Sequence, residues 1–575
     1  MESGTKVHKL GILPIAQGFI EDLGISGIFD KIIPRGEEEI SHGMVLNILL
    51  LNLLDSGQPL YKVSDWLSPY SDGIGELPIL AGKYHDKRLG SALDALYSAS
   101  RHTILTEISS KAIALHGLDT GRVHNDTTTV TFSGAYERDR GKGSEVKLTQ
   151  GYNKDHRPDM KQVVFGLNVC ADGHVPLLSH LYSGNQSDSG THQDNWQSLR
   201  ALLGTVDFHY IADSKLSSTE NLMLINDAGG KFTSILPATR KEVKAFHSGL
   251  SQGDIPASGT WEQAMSKADS RKKGEEVVYR TYEAGGTQEG FRLIFVHSSA
   301  KARQDAQSRQ AAIEGSLGVL AGLKKDLNQY YRKTEEQIRS YIKEKAGKGL
   351  QFIDIELVVK KETTKRKVGA GRVGPSSIWR EEETTTYELK YGLNQGKVDQ
   401  QAKTDGVFPL VTNTVLKAAE VLGCYKDQPY LEKRFSTLKS VLVVAPVFLK
   451  KPERVEAMLL LYLIALMIVA LIERKIRKEM EAKKIKEIPI LPRQMKTQKP
   501  TWNNIQFCFC SAIMVYTMIG GVTQTTVKGI GKDQIKVLHL LGVDLDKYYQ
   551  TVQIDWFINP KRTEELIQKL ARRSP

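Results

Sequence analysis

The chain has 575 residues, 40% of them hydrophobic and 25% charged, with a formal net charge of +12. That length exceeds one ordinary core and suits about three or four domains of usual size, and the composition excludes a disordered or fibrous chain. The charge is segregated: Lys433 to Pro575 holds 25 Lys and Arg against 12 Asp and Glu, which leaves the preceding residues close to neutral. A basic surface of this kind attracts polyanions, of which nucleic acid is the commonest because neutralised phosphates release counterions. A solvated basic tail is the blander alternative.

The four cysteines, Cys170, Cys424, Cys508 and Cys510, show no zinc-ligand spacing, which fits a reducing compartment. No charged start followed by an apolar core and a small-residue cleavage site occurs at the N-terminus, so the expected location is cytoplasmic, in association with the nucleoid. Ala457 to Ile472 is an uninterrupted apolar run of 16 residues between Glu456 and Glu473. A spanning helix needs about 20 residues, so the run reads as a helix buried between layers, with no membrane partner.

Residues 1–118 read as a helical N-terminal domain, a candidate for DNA binding, in which Ser41 caps a helix that stops at Gly57. From residue 119 the pattern changes. "GRVHNDTTTVTF", "KQVVFGLNVC" and "VPLLSHLYSGN" are β-type runs, followed by a helix over "DSGTHQDNWQSLRALLG", a strand at "FHYIADSKL", a helix through "STENLMLINDAGG" and a strand at "KFTSILPAT". Three strands, then helix, strand, helix and strand give an α/β chain whose mixed sheet matches the ribonuclease H-like fold over residues 119–240. Residues 241–400 read as an α+β insertion domain in which "KRKVGAGRVGP" is a mobile basic loop between two strands. The sheet resumes in residues 401–478, and residues 479–575 form a C-terminal region for DNA binding or dimerisation. No internal repeat is evident.

A carboxylate near a strand end amid apolar and β-branched neighbours asks for a partner, since burying a charge costs several kcal/mol unless it is paired or bound to a cation. Asp126 and Asp213 are two such residues. Either one alone is more often a turn or helix-cap aspartate. A third acid stands in "CYKDQPYLEKRFSTLKS" (Cys424 to Ser440). There Pro429 suits the first helical position, and Leu431, Phe435, Leu438 and Leu442 form an apolar stripe beside which Glu432, Ser436 and Lys439 lie. Packing the stripe on the sheet aims Glu432 at the sheet margin, with Lys439 in the same direction. Taken alone, that helix is ordinary surface decoration.

Together these residues resemble the DDE transposases of bacterial and archaeal insertion sequences. More narrowly, Tyr425, Glu432 and Lys439 at Tyr-x6-Glu-x6-Lys spacing look like the group with a Tyr-Arg-Glu-Lys signature, the IS-4 superfamily, and "HRPDMKQVVFGL" and "SGNQSDSGTH" resemble its long-insertion, IS-1634-like branch. The sequence departs from that signature at Gln428, where the group has Arg, and Pro429 is expected to push Gln428 out of helical geometry. Phosphate contact there would pass to Lys433 or Arg434.

The resemblance implies that Asp126, Asp213 and Glu432 are catalytic and bind two Mg²⁺ ions, for which Mn²⁺ can substitute. Hard cations want oxygen ligands, and a metal pair about 3.5–4 Å apart suits in-line phosphoryl transfer. It also implies cleavage and strand transfer of double-stranded DNA at terminal inverted repeats and at a target, in a cut-and-paste manner, by a homodimer. Tyr425, Gln428 and Lys439 would contact DNA with the basic residues above, as would Lys365, Arg366 and Lys367, while Trp379 or Trp261 could stack on a base. Asp213 and Glu432 are 219 residues apart, against 87 between Asp126 and Asp213, so the insertion falls between the second and third acids. His124 and His192 are read as structural. Two alternatives stay open: a domesticated or inactive transposase-derived DNA-binding protein, and a ribonuclease H-like nuclease acting outside transposition.

Overall fold

The computed structural model describes residues 5–70, 81–132, 146–151, 157, 159–186, 188–255, 261–269, 274–329, 333–370, 372–375, 377–442, 449, 451–519 and 522–543. The last part of the expected C-terminal region, 544–575, lies outside the described residues. The chain folds as two units, one made of Met1–Thr233 with Cys424–Pro575 and the other of Ser234–Gly423.

The first unit opens with strand β1 (Thr5–Lys9) and helices α1 (Leu13–Asp22), α2 (Ile25–Ile32), α3 (His42–Asp55), α4 (Val63–Leu67), α5 (Asp86–Ser98) and α6 (Arg101–His116). Ser41 caps α3 by accepting the Met44 N–H at 3.2 Å, satisfying a donor that has no intrahelical partner. α6 ends at Gly117, whose φ of 52° favours a residue without a Cβ. There follow β2 (Arg122–Phe132), β3 (Lys161–Cys170), β4 (Pro176–Ser183), α7 (His192–Leu203), β5 (His209–Ile211), α8 (Thr219–Asp227) and β6 (Lys231–Ile235). The strands lie in the order β4-β3-β2-β5-β6, with β4, β3 and β2 antiparallel and β2, β5 and β6 parallel. This is a mixed α/β sheet, and its parallel half arises where helices supply the crossovers.

The second unit continues with α9 (Lys241–Gln252), β7 (Glu262–Ala268), β8 (Glu276–Gly286), β9 (Arg292–Ser298), α10 (Ser299–Lys325), α11 (Glu335–Lys345), β10 (Ile353–Lys367), β11 (Trp379–Leu393), α12 (Gln395–Ala402) and β12 (Val407–Thr412). Here β12, β9, β8 and β7 form an antiparallel run, while β10 and β11 form a separate two-stranded ribbon. "TDGVFPLVTN" forms the strand β12, as expected from its composition, and Val407 to Thr412 pairs with β9. The base of the ribbon packs on α10 and α11 through Ile353, Leu389, Leu320, Leu323 and Ile338.

The chain then passes through α13 (Ala418–Tyr425) and α14 (Pro429–Ser436), a π-helical turn at Thr437–Val441, α15 (Pro452–Ala482), α16 (Trp502–Cys508), β13 (Ile513–Ile519), β14 (Val522–Lys528) and α17 (Lys532–Leu541). β13 pairs with both β14 and β1, joining the two ends of the chain in one small sheet. The apolar run lies inside α15. That helix is long and apolar enough to cross a membrane, and its most apolar window is wholly buried in the first unit, against α3, α5, α6 and α17. A helix apolar on every side needs neighbours on every side, each buried Leu or Ile contributing about 1.5–3 kcal/mol relative to exposure. Its flanking acids are buried with partners: Glu456 accepts from Arg101 at 3.1 Å, and Glu473 from Arg434 at 2.8 Å.

Candidate functional site

β2 is a Thr- and Val-rich strand, and β-branched side chains favour the extended backbone. Asp126 is half-buried within it, and its Oδ1 accepts the N–H of Thr127 at 2.7 Å. Asp213 lies two residues beyond β5, where its side chain caps a short 3₁₀ turn, Ser214–Ser217, by accepting the Lys215 N–H at 2.9 Å. The parallel register sets Arg122 opposite His209 and His124 opposite Ile211, an offset of 87 residues. Asp126 and Asp213 are separated by the same 87 residues. Asp126 thus lies in the strand beside β5, two residues past the paired segment, and Asp213 follows the end of β5. They stand where the parallel strand β5 ends, the side of an open α/β sheet at which ligands bind.

Glu432 comes from α14. Pro429 occupies its first turn, where a missing N–H costs nothing, and Leu431, Phe435, Leu438 and Leu442 are all buried. This face packs α14 against β2 and leaves Glu432 exposed. Tyr425, half-buried at the end of α13, lies within electrostatic reach of all three acids. Its phenol is shifted well above its usual range, first by burial and then by the charges of Asp213, Asp126 and Glu432 together. Carboxylates brought near one another repel, and a cation between them would offset that repulsion. In kind they suit a hard divalent ion. Among the described residues, however, no group of three or more His, Cys, Asp or Glu side chains is gathered tightly enough to hold a metal ion.

Gln428 departs from expectation twice. Its backbone is helical, at φ −50° and ψ −40°, so Pro429 does not displace it. It is also buried rather than offered to DNA, because both ends of its amide are used: Nε2 donates to the carbonyl of Asn125 at 2.8 Å, and Oε1 meets His124 Nδ1 at 3.0 Å. Gln428 thus ties the start of α14 to the two residues of β2 that precede Asp126. Burial lowers the pKa of His124, against an opposing contribution from Gln428. Gln428→Ala leaves a buried carbonyl and an imidazole nitrogen without this partner. We expect it to cost about 1–3 kcal/mol in urea unfolding, and a change below about 0.5 kcal/mol would show that the tie is dispensable.

Arg434, expected at the DNA surface, is likewise buried. Its Nη1 pairs with Glu473 at 2.8 Å, while Nε and Nη2 donate to the carbonyls of His174 at 2.9 Å and Gly173 at 2.8 Å. The guanidinium fork locks α14 to the β3–β4 turn and to α15, so it is not free for phosphate. His174 holds a φ of 53° in that turn and stacks on Tyr430, with ring centres 4.4 Å apart. Lys433 remains exposed, its Nζ lying 4.8 Å from the Tyr430 ring centre. Lys439 falls in the π-helical turn and is half-buried.

His174 also implies a pH dependence. Burial, then the nearby Arg434, lowers its pKa to about 3, and burial lowers His209 and His116 to about 4. The native state keeps these imidazoles neutral, whereas the unfolded chain protonates them near 6.5. Their contribution is therefore complete above that value and is lost as pH falls toward the folded values. Urea unfolding at pH 5 should show each site lowering stability by about 1–2 kcal/mol relative to pH 7.5; equal stability at the two pH values would contradict the neutral burial.

The remaining expected DNA contacts lie in the second unit. Lys365, Arg366 and Lys367 are strand residues rather than loop residues, since β10 runs through Lys367 in register with β11. Trp379 is 49% exposed at the start of β11. Trp261 instead belongs to an aromatic cluster with Phe246, Tyr282 and His297. His192 is buried against the Tyr210 hydroxyl at 3.2 Å. Glu473 had no sequence signal beyond its place at the end of the apolar run, although it is the buried partner of Arg434.

A family model described as a domain of unknown function, DUF4277, matches residues 5–110. No curated protein matches the chain. Among solved structures, the chain overlaps a piggyBac transposase synaptic complex with hairpin DNA at 8% identity and a TM-score of 0.27. The overlap covers 52% of this chain and 63% of that one, and it is too loose to establish a common fold.

Proposed function

We propose that the protein is a DDE transposase of the IS-4 superfamily, in its IS-1634-like branch, which cleaves and joins insertion-sequence DNA in a cut-and-paste manner on a ribonuclease H-like core. The observation that carries this reading is the placement of the acids by the fold: Asp126 in β2, Asp213 just beyond the adjacent strand β5, and Glu432 on α14, which packs against β2. In this reading Asp126, Asp213 and Glu432 would hold two Mg²⁺ ions, which would supply charge stabilisation for in-line transfer at a phosphodiester. Tyr425 is protonated at neutral pH, as a phenol ordinarily is, and would serve as a hydrogen-bond donor to a phosphate oxygen. Lys433 and Lys439 supply ammonium groups on the same helical segment. Gln428 and Arg434 act by placing α14 against β2 and the β3–β4 turn.

The expected partners are the terminal inverted repeats and target DNA, with the chain acting as a homodimer in the cytoplasm at the nucleoid. The test is a nicking assay on duplex carrying the ends of the element that encodes the chain, with and without Mg²⁺. Metal-dependent release of a 3′-hydroxyl at those ends is the expected result. Duplex binding with no cleavage under any divalent ion would favour a transposase-derived DNA-binding protein instead.

A further inference from the structure

The β10–β11 ribbon is 15 residues long on each strand, and its base packs on α10 and α11 in a buried apolar cluster. Toward its tip, in the described residues from Lys361 to Glu383, nearly every side chain is exposed. A two-stranded ribbon alone is marginal in water, and an exposed extension of this length suits the binding of a partner. The tip has two properties that identify one. Residues 365–380 contain five Lys or Arg and no Asp or Glu. Val368, Val373, Ile378 and Trp379 are also exposed there, by 53%, 69%, 71% and 49%.

The register makes the charge argument sharper. Arg366 lies directly opposite Arg380 on one face of the ribbon, an arrangement of like charges that is destabilising unless an anion lies between them. The acids that follow do not satisfy it. Glu382 reaches Arg366 only diagonally, at 3.5 Å, and Glu381 reaches Lys365 at 3.6 Å, with all four side chains more than half exposed. Ion pairs of that kind are worth about 0–1 kcal/mol and exchange readily for phosphate. A twisted two-stranded ribbon fits a duplex groove, and apolar side chains at such a tip can wedge between base steps and bend the duplex.

We propose that the distal half of the β10–β11 ribbon is a duplex-DNA arm, which seats in a groove through Arg366 and Arg380 and bends the duplex with Ile378 and Trp379. The inference rests on the nucleic-acid reading above and adds to it which element of the second unit would hold DNA, and in what form.

The experiment uses the full chain and a mixed-sequence 40-base-pair duplex with a fluorophore at each end, reading affinity by anisotropy and bending by energy transfer. Arg366→Gln with Arg380→Gln should weaken binding about tenfold at physiological salt and reduce the salt slope by about 1.8, the value for two lost phosphate contacts. Ile378→Ser with Trp379→Ser should change affinity less than about threefold and remove the bend. All four positions are exposed, so each variant should retain the wild-type melting temperature. If wild-type protein binds and nicks DNA while both double variants bind and bend like it, the arm is refuted and the transposase reading stands. If the chain binds phosphatidylserine vesicles through these residues and not DNA, the tip is a membrane anchor and the arm is again refuted. If the chain neither binds nor nicks any duplex, both inferences fall.

Discussion

Asp126→Asn and Asp213→Asn are each expected to reduce Mg²⁺-dependent nicking by on the order of 10²–10³-fold or more, the usual cost of removing one preorganised charge from such a site. Asparagine is the informative replacement. Its amide oxygen can still accept from Thr127 N–H at position 126 and from Lys215 N–H at position 213, so the strand and the 3₁₀ cap keep their hydrogen bonds while the charge disappears. Loss of cleavage with an unchanged melting temperature would separate chemistry from folding. Glu432→Gln should behave alike with still less structural effect, because Glu432 is exposed. If the Glu432 variant nicked DNA at the wild-type rate, the third acid of the site would have to be sought elsewhere.

Arg434→Ala is expected to have the largest effect on stability. Arg434 and Glu473 are each about 6% exposed at the side chain. Removing one member of a buried pair leaves an uncompensated charge, which typically costs about 3–5 kcal/mol. Glu473 would keep the Trp502 N–H at 2.8 Å and a longer contact with Arg477 at 3.3 Å, placing the loss toward the lower end of that range. The two carbonyls of the β3–β4 turn would also lose their donor. Urea unfolding followed by tryptophan fluorescence reads the first unit through the buried Trp196 and Trp502. A loss below about 1 kcal/mol would mean that the turn and α15 are held by packing alone. Arg434→Lys should recover little, because an ammonium cannot reproduce the three-way fork.

Both variants act on features that sequence patterns express unequally. The run of β-type segments, then helix, strand, helix and strand, was legible because alternation, β-branched residues and turn chemistry are local properties, and β2 to β6 appear where those signals stand. The Ser41 cap and the buried character of Ala457–Ile472 were legible for the same reason. The second unit was harder to bound. Val407–Thr412 is a strand by composition alone, but which sheet partner it takes is decided by its pairing with β9, far away in sequence. Likewise, "KRKVGAGRVGP" has the composition of a loop, yet cross-strand pairing carries β10 through Lys367.

At the candidate site the division runs through single residues. The sequence by itself determined which residue types were available: acids at 126, 213 and 432, an apolar stripe on α14, and Gln in place of Arg at 428. Only the tertiary structure decided what surrounds them. The parallel pairing of β2 with β5 brings Asp126 and Asp213 to neighbouring segments, and the packing of α14 on β2 leaves Glu432 exposed beside them. Gln428 and Arg434 point inward to β2, the β3–β4 turn and Glu473 instead of outward to solvent. The physical reason is that burial and hydrogen-bond satisfaction depend on partners that are distant in sequence, Asn125 for Gln428 and Glu473 for Arg434. A local pattern can show that a polar side chain needs a partner, but it cannot say which one the fold will supply.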